Sequence, residues 1–188
     1  MPAKLRLTGD AETDKLLSQD PFALLTGMLL DQQIAMDLAF AGPRKIADRM
    51  AGFSVTKIAE SDEDEFVELC VRKPAIHRYG ASMARRVHTL ARYVVDNYDG
   101  AAERIWREGD PDGAEVLKRL KSLPGFGDQK ARIFLALLGK QLGVRPAGWR
   151  EAAGAYGEAD SHRSIADVTD AETLAKVREF KKAAKAAK

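Results

Sequence analysis

Leu120-Lys121-Ser122-Leu123-Pro124-Gly125-Phe126-Gly127-Asp128-Gln129-Lys130-Ala131 is the stretch on which the reading of this chain turns. Two glycines one residue apart stand between apolar residues spaced three and four apart. Val116, Leu117 and Leu120 precede them, and Ile133, Phe134, Leu137 and Leu138 follow. That spacing predicts a helix, a tight hairpin and a second helix. A side chain at either glycine would obstruct the turn and the close approach of another group to the backbone. Phe126, between them, is placed to plug into the helix pair. The second helix opens with unpaired N–H groups at the positive end of its dipole, which suits a phosphate oxygen, and Lys130 and Arg132 add charge nearby. In the plainer alternative the glycines merely permit a corner, since glycine is common at helix ends. The full string favours the ligand reading: leucine and proline before the first glycine, an apolar residue between the two, and alanine at the fourth place after the second.

Working outward, nearly every periodic stretch is helical in spacing and no short alternating runs bounded by hairpin turns occur, so the expected fold is all-α. Asp20-Pro21 reads as a cap and first position of a helix through Phe22, Leu24, Leu25, Met28 and Leu29, apolar on nearly all sides and therefore central. Pro43 reads as the start of a helix carrying Ile46, Ala47 and Met50. Ser61-Asp62-Glu63-Asp64 opens another with Phe66, Leu69 and Cys70, and the pair reads as two surface helices. Ala81 to Tyr98 is the longest periodic segment. Asp110-Pro111 reads as the cap of the helix entering the hairpin. From Val144 to Ala166 periodicity weakens and Gly and Pro rise, with room for one short helix within Gly148 to Ala155. Thr169-Asp170 begins a last helix that ends in the lysine-rich Lys181 to Lys188. With no internal repeat and no long linker, residues 1–188 read as a single domain of two helical lobes with an irregular insertion at about 144–166.

The chain has 188 residues, 45% apolar and 31% charged, with a net charge of +2. This is enough apolar sequence for one proper core. Bulk charge does not attract a polyanion, so any such surface must come from local clustering. The single cysteine, Cys70, excludes an internal disulfide, a four-cysteine zinc site and a cysteine-ligated iron-sulfur cluster. His77, His88 and His162 are not spaced as metal ligands. The sequence from Met1 to Asp10 carries no leader pattern and no long apolar run occurs, so the expected compartment is the cytoplasm, without a membrane span.

Three segments together resemble the helix-hairpin-helix (HhH-GPD) superfamily of base-excision DNA glycosylases, over about Pro21 to Lys140. Leu29-Leu30-Asp31-Gln32-Gln33-Ile34 looks like the family's Leu-Ser-Gln-Gln element, with Asp31 where serine is common. Met83-Ala84-Arg85-Arg86-Val87 with Leu90-Ala91 looks like the helix before the hairpin unit, and Leu120 to Ala131 looks like the hairpin. The resemblance implies a two-lobed fold that grips duplex DNA through Leu123, Pro124, Gly125, Phe126, Gly127 and Lys130. It implies that Gln33, with Gln32, fills the space left by an extruded base, for which an amide suits because it both donates and accepts. It further implies a K+ or Na+ ion held by hairpin carbonyls, at Leu123 and Gly125, and no other cofactor. Phosphate contact of this kind sets position on the duplex without reading sequence.

Base excision requires the target base to leave the stack, and the sugar then develops positive charge that a carboxylate stabilises while a water is oriented. In the family that carboxylate is an aspartate downstream of the hairpin. The candidate here is Asp160, in Glu158-Ala159-Asp160-Ser161-His162-Arg163, 33 residues after Gly127 and so beyond an insertion. Asp167 is the runner-up, with a helix cap as its competing role. The family's lyase branch uses a lysine two residues after the second hairpin glycine as an imine-forming nucleophile. Here that place is Gln129, and Lys130 lies about 100° further round the helix. Trp149 and Tyr156 offer π faces to an extruded base or simply pack the loop. The sequence thus points to a monofunctional DNA glycosylase acting as a monomer on duplex DNA, associated with the nucleoid when bound. The alternatives are a non-catalytic module of the same build that recognises lesions or bent DNA and, more distantly, an all-α protein-interaction domain.

Overall fold

The computed structural model describes residues 4–188; it is 66% helical and has no strand among the described residues. The all-α expectation therefore holds. The chain runs through α1 (Ala11–Gln19), α2 (Pro21–Leu30), α3 (Met36–Arg49), α4 (Val55–Glu60), α5 (Glu63–Val71), α6 (Gly80–Tyr98), α7 (Arg104–Arg107), α8 (Gly113–Lys121), α9 (Asp128–Gln141), α10 (Trp149–Ala153) and α11 (Ala171–Ala186).

Helix α2 begins because the Asp20 carboxylate accepts the N–H groups of Phe22 and Ala23 and Pro21 fills the first position. Every residue from Phe22 to Leu30 is buried. This helix packs on α3, α6 and α9, so it joins the helices before and after residue 100 through one continuous apolar cluster. Gly27 matters there, because a Cβ would overlap the Phe40 ring of α3.

Two boundaries differ from expectation. Helix α3 starts at Met36, not Pro43, and runs through the proline. Its first turns bury Met36, Ala39 and Phe40, and that burial outweighs the cost of a missing N–H and a crowded ring. It is a core helix, whereas α5 is a surface helix with Phe66, Val67 and Cys70 on its inward face. The cap of α8 is Asp112, whose carboxylate accepts from Glu115 N at 2.8 Å, in place of Asp110. Gly113 is then free to lie on the backbone of Trp149, where a Cβ would stand 2.7 Å from its N, while Gly113 N donates to Ala147 O at 2.7 Å.

The weakly periodic segment 144–166 is ordered by α9. It holds α10 and two 3-10 turns, Gly154–Gly157 and Ile165–Asp167. The Trp149 indole packs where a Cβ at Gly139 would stand, Arg132 donates to Ala152 O at 2.6 Å, and Gln141 Nε2 donates to the carbonyls of Ile165, Ala166 and Val168. Helix α11 opens on a capping box formed by Asp170 and Thr173 and reaches back across the molecule, where Arg178 pairs with Asp37 at 2.6 Å. No helix among the described residues is long and apolar enough to cross a membrane.

Candidate functional site

The hairpin between α8 and α9 is held from below and open above. Leu123 and Phe126 are buried, Phe126 edge-on to Phe134 at 6.3 Å, and Phe126 N donates to Leu123 O at 3.0 Å. Gly125 and Gly127 are exposed, and they are glycines for different reasons. Gly125 has φ +84, and a Cβ there would overlap Leu29. Gly127 has an ordinary φ of −87 as the N-cap of α9, and a Cβ would meet nothing within 4 Å. The protein itself does not require a glycine at 127; a group approaching the N–H groups of α9 from outside would. Asp128, the acidic residue in that first turn, is neutralised by Arg132 at 2.8 Å and Lys121 at 3.4 Å, and these partners hold its carboxyl below the usual range.

The same hairpin fixes the end of α2. Lys130 Nζ donates to the carbonyls of Met28 and Leu29, both at 2.7 Å, satisfying acceptors that a helix C-terminus leaves open. Burial pushes this lysine down to about 8, against the pull of Asp31 in the opposite direction. The loop Asp31 to Ala35 that follows is therefore anchored beside the hairpin. Gln32 is turned inward, its Nε2 donating to Leu29 O, and its carbonyl receives the buried His77 ring at 2.8 Å. Because Tyr79 N donates to His77 Nδ1, the ring proton sits on Nε2 and points at Gln32 O. Gln33 is exposed at φ +60, a conformation uncommon outside glycine, asparagine and aspartate, and it is the amide the loop presents outward.

Between this loop, the start of α9, the 3-10 turns and α11 lies a cleft of about 1,100 Å³. Among the described residues its charged lining is Arg78, Lys130, Arg163, Lys181, Lys185 and Lys188 against one carboxylate, Asp31. A chain that is nearly neutral overall thus concentrates positive charge in one concavity. Aromatic rings stand at its wall: Tyr79 beneath Arg78, Phe180 beneath Arg163, and Tyr156, whose hydroxyl accepts from Gln129 Nε2 at 3.0 Å.

Of the residues singled out from sequence, the hairpin, Lys130, Gln32 and Gln33 come together. The two downstream aspartates do not join them. Asp160 is exposed at φ +58 beyond the first 3-10 turn and is not part of the cleft wall. Asp167, 5% exposed, accepts from Lys140 Nζ at 2.6 Å, Ser161 Oγ and Arg163 N; its carboxylate folds the 161–167 loop onto α9, and the cap of α11 is Asp170. Trp149 is a packing residue, whereas Tyr156 does reach the cleft. Periodicity missed His77, Arg78 and Tyr79, which precede α6 in an irregular stretch; a histidine, an arginine and a tyrosine together outside any helix was the available signal.

A family model for the HhH-GPD superfamily of base excision DNA repair proteins matches residues 26–187. The chain belongs to this superfamily. Comparison with curated proteins and with solved structures finds no match. As an HhH-GPD protein it acts in base excision repair on DNA, and DNA glycosylase is the activity that membership implies in general. The HhH-GPD match spans the double-glutamine loop, the start of α9, the 3-10 turns and α11, which together border the cationic cleft.

Proposed function

We propose that the chain is a monofunctional DNA glycosylase that hydrolyses the N-glycosidic bond of a damaged or unwanted base flipped out of duplex DNA. The observation that carries the reading is the convergence, at the end of α2, of the open hairpin, the outward Gln33 and the cationic, aromatic-walled cleft. The N–H groups of α9 take a backbone phosphate, with Gly127 admitting it. Gln33 occupies the gap in the duplex, and the extruded base stacks on rings of the cleft wall. Leu123 O and Gly125 O suit a K+ or Na+ ion: the first has a second lone pair beyond its bond to Phe126, and the second accepts no hydrogen bond among the described residues. Such an ion would lend positive charge to the phosphate contact. The protein works as a monomer in the cytoplasm, on nucleoid DNA.

Absence of lyase activity is supported by Gln129, whose side chain is tied to Tyr156, and by Lys130, whose Nζ is engaged by two carbonyls. The test is a panel of duplexes carrying alkylated, oxidised or deaminated bases, scored for free base and, separately, for strand scission and borohydride trapping. Base release without trapping is expected. Release accompanied by a trapped adduct on Lys130, whose ammonium is already easier to deprotonate than usual, would make the enzyme bifunctional. Tight binding to a lesion with no release would make it the non-catalytic module.

A further inference from the structure

We propose that Asp31 is the carboxylate that faces the reacting sugar, an inference that rests on the glycosylase reading above. Asp31 ends α2, its side chain is 6% exposed, and it forms part of the cleft wall between the hairpin side and α11. Its carboxylate caps no helix and tethers no loop; it acts on Lys181 and Lys130 through space. The capping bond at this helix end is made by its backbone N–H, to Met28 O. Its carboxylate accepts no hydrogen bond among the described residues, and its closest partner is Lys181 Nζ at 3.7 Å. It also stands at the negative end of the α2 dipole, where an anion is disfavoured.

The other buried aspartates are different. Asp14 accepts from Leu7 N, Thr8 N and Thr8 Oγ, and Asp167 accepts from three groups. A desolvated anion kept in a cleft without such bonds is the pattern of a functional group. Burial pushes the Asp31 carboxyl above the usual carboxylate range, and Lys181 and Lys130 oppose that push.

The step follows from this placement. As the C1′–N bond lengthens, its electron pair moves onto the base nitrogen and the sugar becomes cationic; the Asp31 anion, in a site of low polarity, stabilises that charge. Water attacks C1′, its proton passes to the Asp31 carboxylate, and that proton is then returned to the departing base. The products are the free base and an abasic sugar. Lys181 is drawn toward a phosphate when DNA enters, which leaves the Asp31 charge to the sugar.

Asp31→Asn keeps the shape and removes the charge; Asp31→Ser serves as a second variant should the amide disturb folding, which circular dichroism reports. Two readouts are used. Base release should fall about 100-fold or more while affinity for undamaged duplex is unchanged. Independently, the wild-type protein should bind a duplex carrying a cationic pyrrolidine abasic analogue more tightly than one carrying the neutral tetrahydrofuran analogue, and the Asp31 variants should lose that preference. Variants that keep both release and preference overturn the proposal, as does loss of both in Asp160→Asn and not in Asp31→Asn. If the wild type releases no base yet shows the Asp31-dependent preference, the glycosylase reading fails while the placement of Asp31 against the sugar stands.

Discussion

Replacing Lys130 by methionine should expose a pH-dependent share of stability that comes from one side chain. In the folded protein burial holds this lysine at about 8, against 10.5 in the unfolded chain. The difference of about 2.5 in pKa, at about 1.4 kcal/mol each, sets a ceiling of about 3 kcal/mol. The folded pKa is the lower one. Between the two values the unfolded chain binds a proton that the folded protein does not, so stability rises with pH through that window and is flat below it. From about pH 7 to about pH 9.5 the gain is about 2 kcal/mol, and it is absent in Lys130→Met. Other groups titrate in the same range, but they are common to both proteins and cancel in the difference. Urea unfolding at a series of pH values, followed by the fluorescence of the buried Trp106 and Trp149, reads that difference directly. A wild-type-minus-variant stability difference that stays constant or falls as pH rises would refute the reasoning, because it would mean that the Lys130 ammonium is as well solvated in the folded state as in the unfolded one.

Gly127→Ala should leave stability within about 1 kcal/mol, since its φ is ordinary and its surroundings are empty, yet lower duplex affinity tenfold or more; unchanged affinity in an anisotropy titration would remove the phosphate from α9. Alanine at Lys181, Lys185 and Lys188 together should flatten the dependence of log affinity on log salt by up to about 3, at about 0.9 per phosphate contact. An unaltered slope would place the cleft lysines away from DNA. Asp167→Asn should cost about 3–5 kcal/mol in thermal or urea unfolding, because Lys140, 12% exposed, loses its buried partner. A stable variant that no longer releases base would instead move the chemistry to Asp167.

How much of the site was legible depended on how local its cause is. The hairpin was readable because glycine, proline and apolar spacing encode a turn within a few residues. The double-glutamine loop was readable only as a resemblance. Its meaning came from Lys130, which reaches from the start of α9 to the carbonyls of Met28 and Leu29, about a hundred positions earlier in the chain. The start of α3 was misplaced because proline is a strong local signal, and the burial of Met36 and Phe40 that overrides it is a property of packing. Asp160 stood out by its neighbours in sequence, and the fold leaves it on the outside of a turn.

The sequence by itself determined the helical class, the central, mostly apolar α2 and the glycine hairpin between α8 and α9, because each is written in spacing or in the conformational freedom of a glycine. Tertiary structure alone decided which charges share a cleft. Asp31, Lys130, Arg163 and Lys181 lie on four different segments, and a near-neutral chain acquires a cationic concavity with one desolvated carboxylate only when α9 and α11 close around the end of α2. Charge, unlike periodicity, acts through space over several ångströms and is indifferent to distance along the chain.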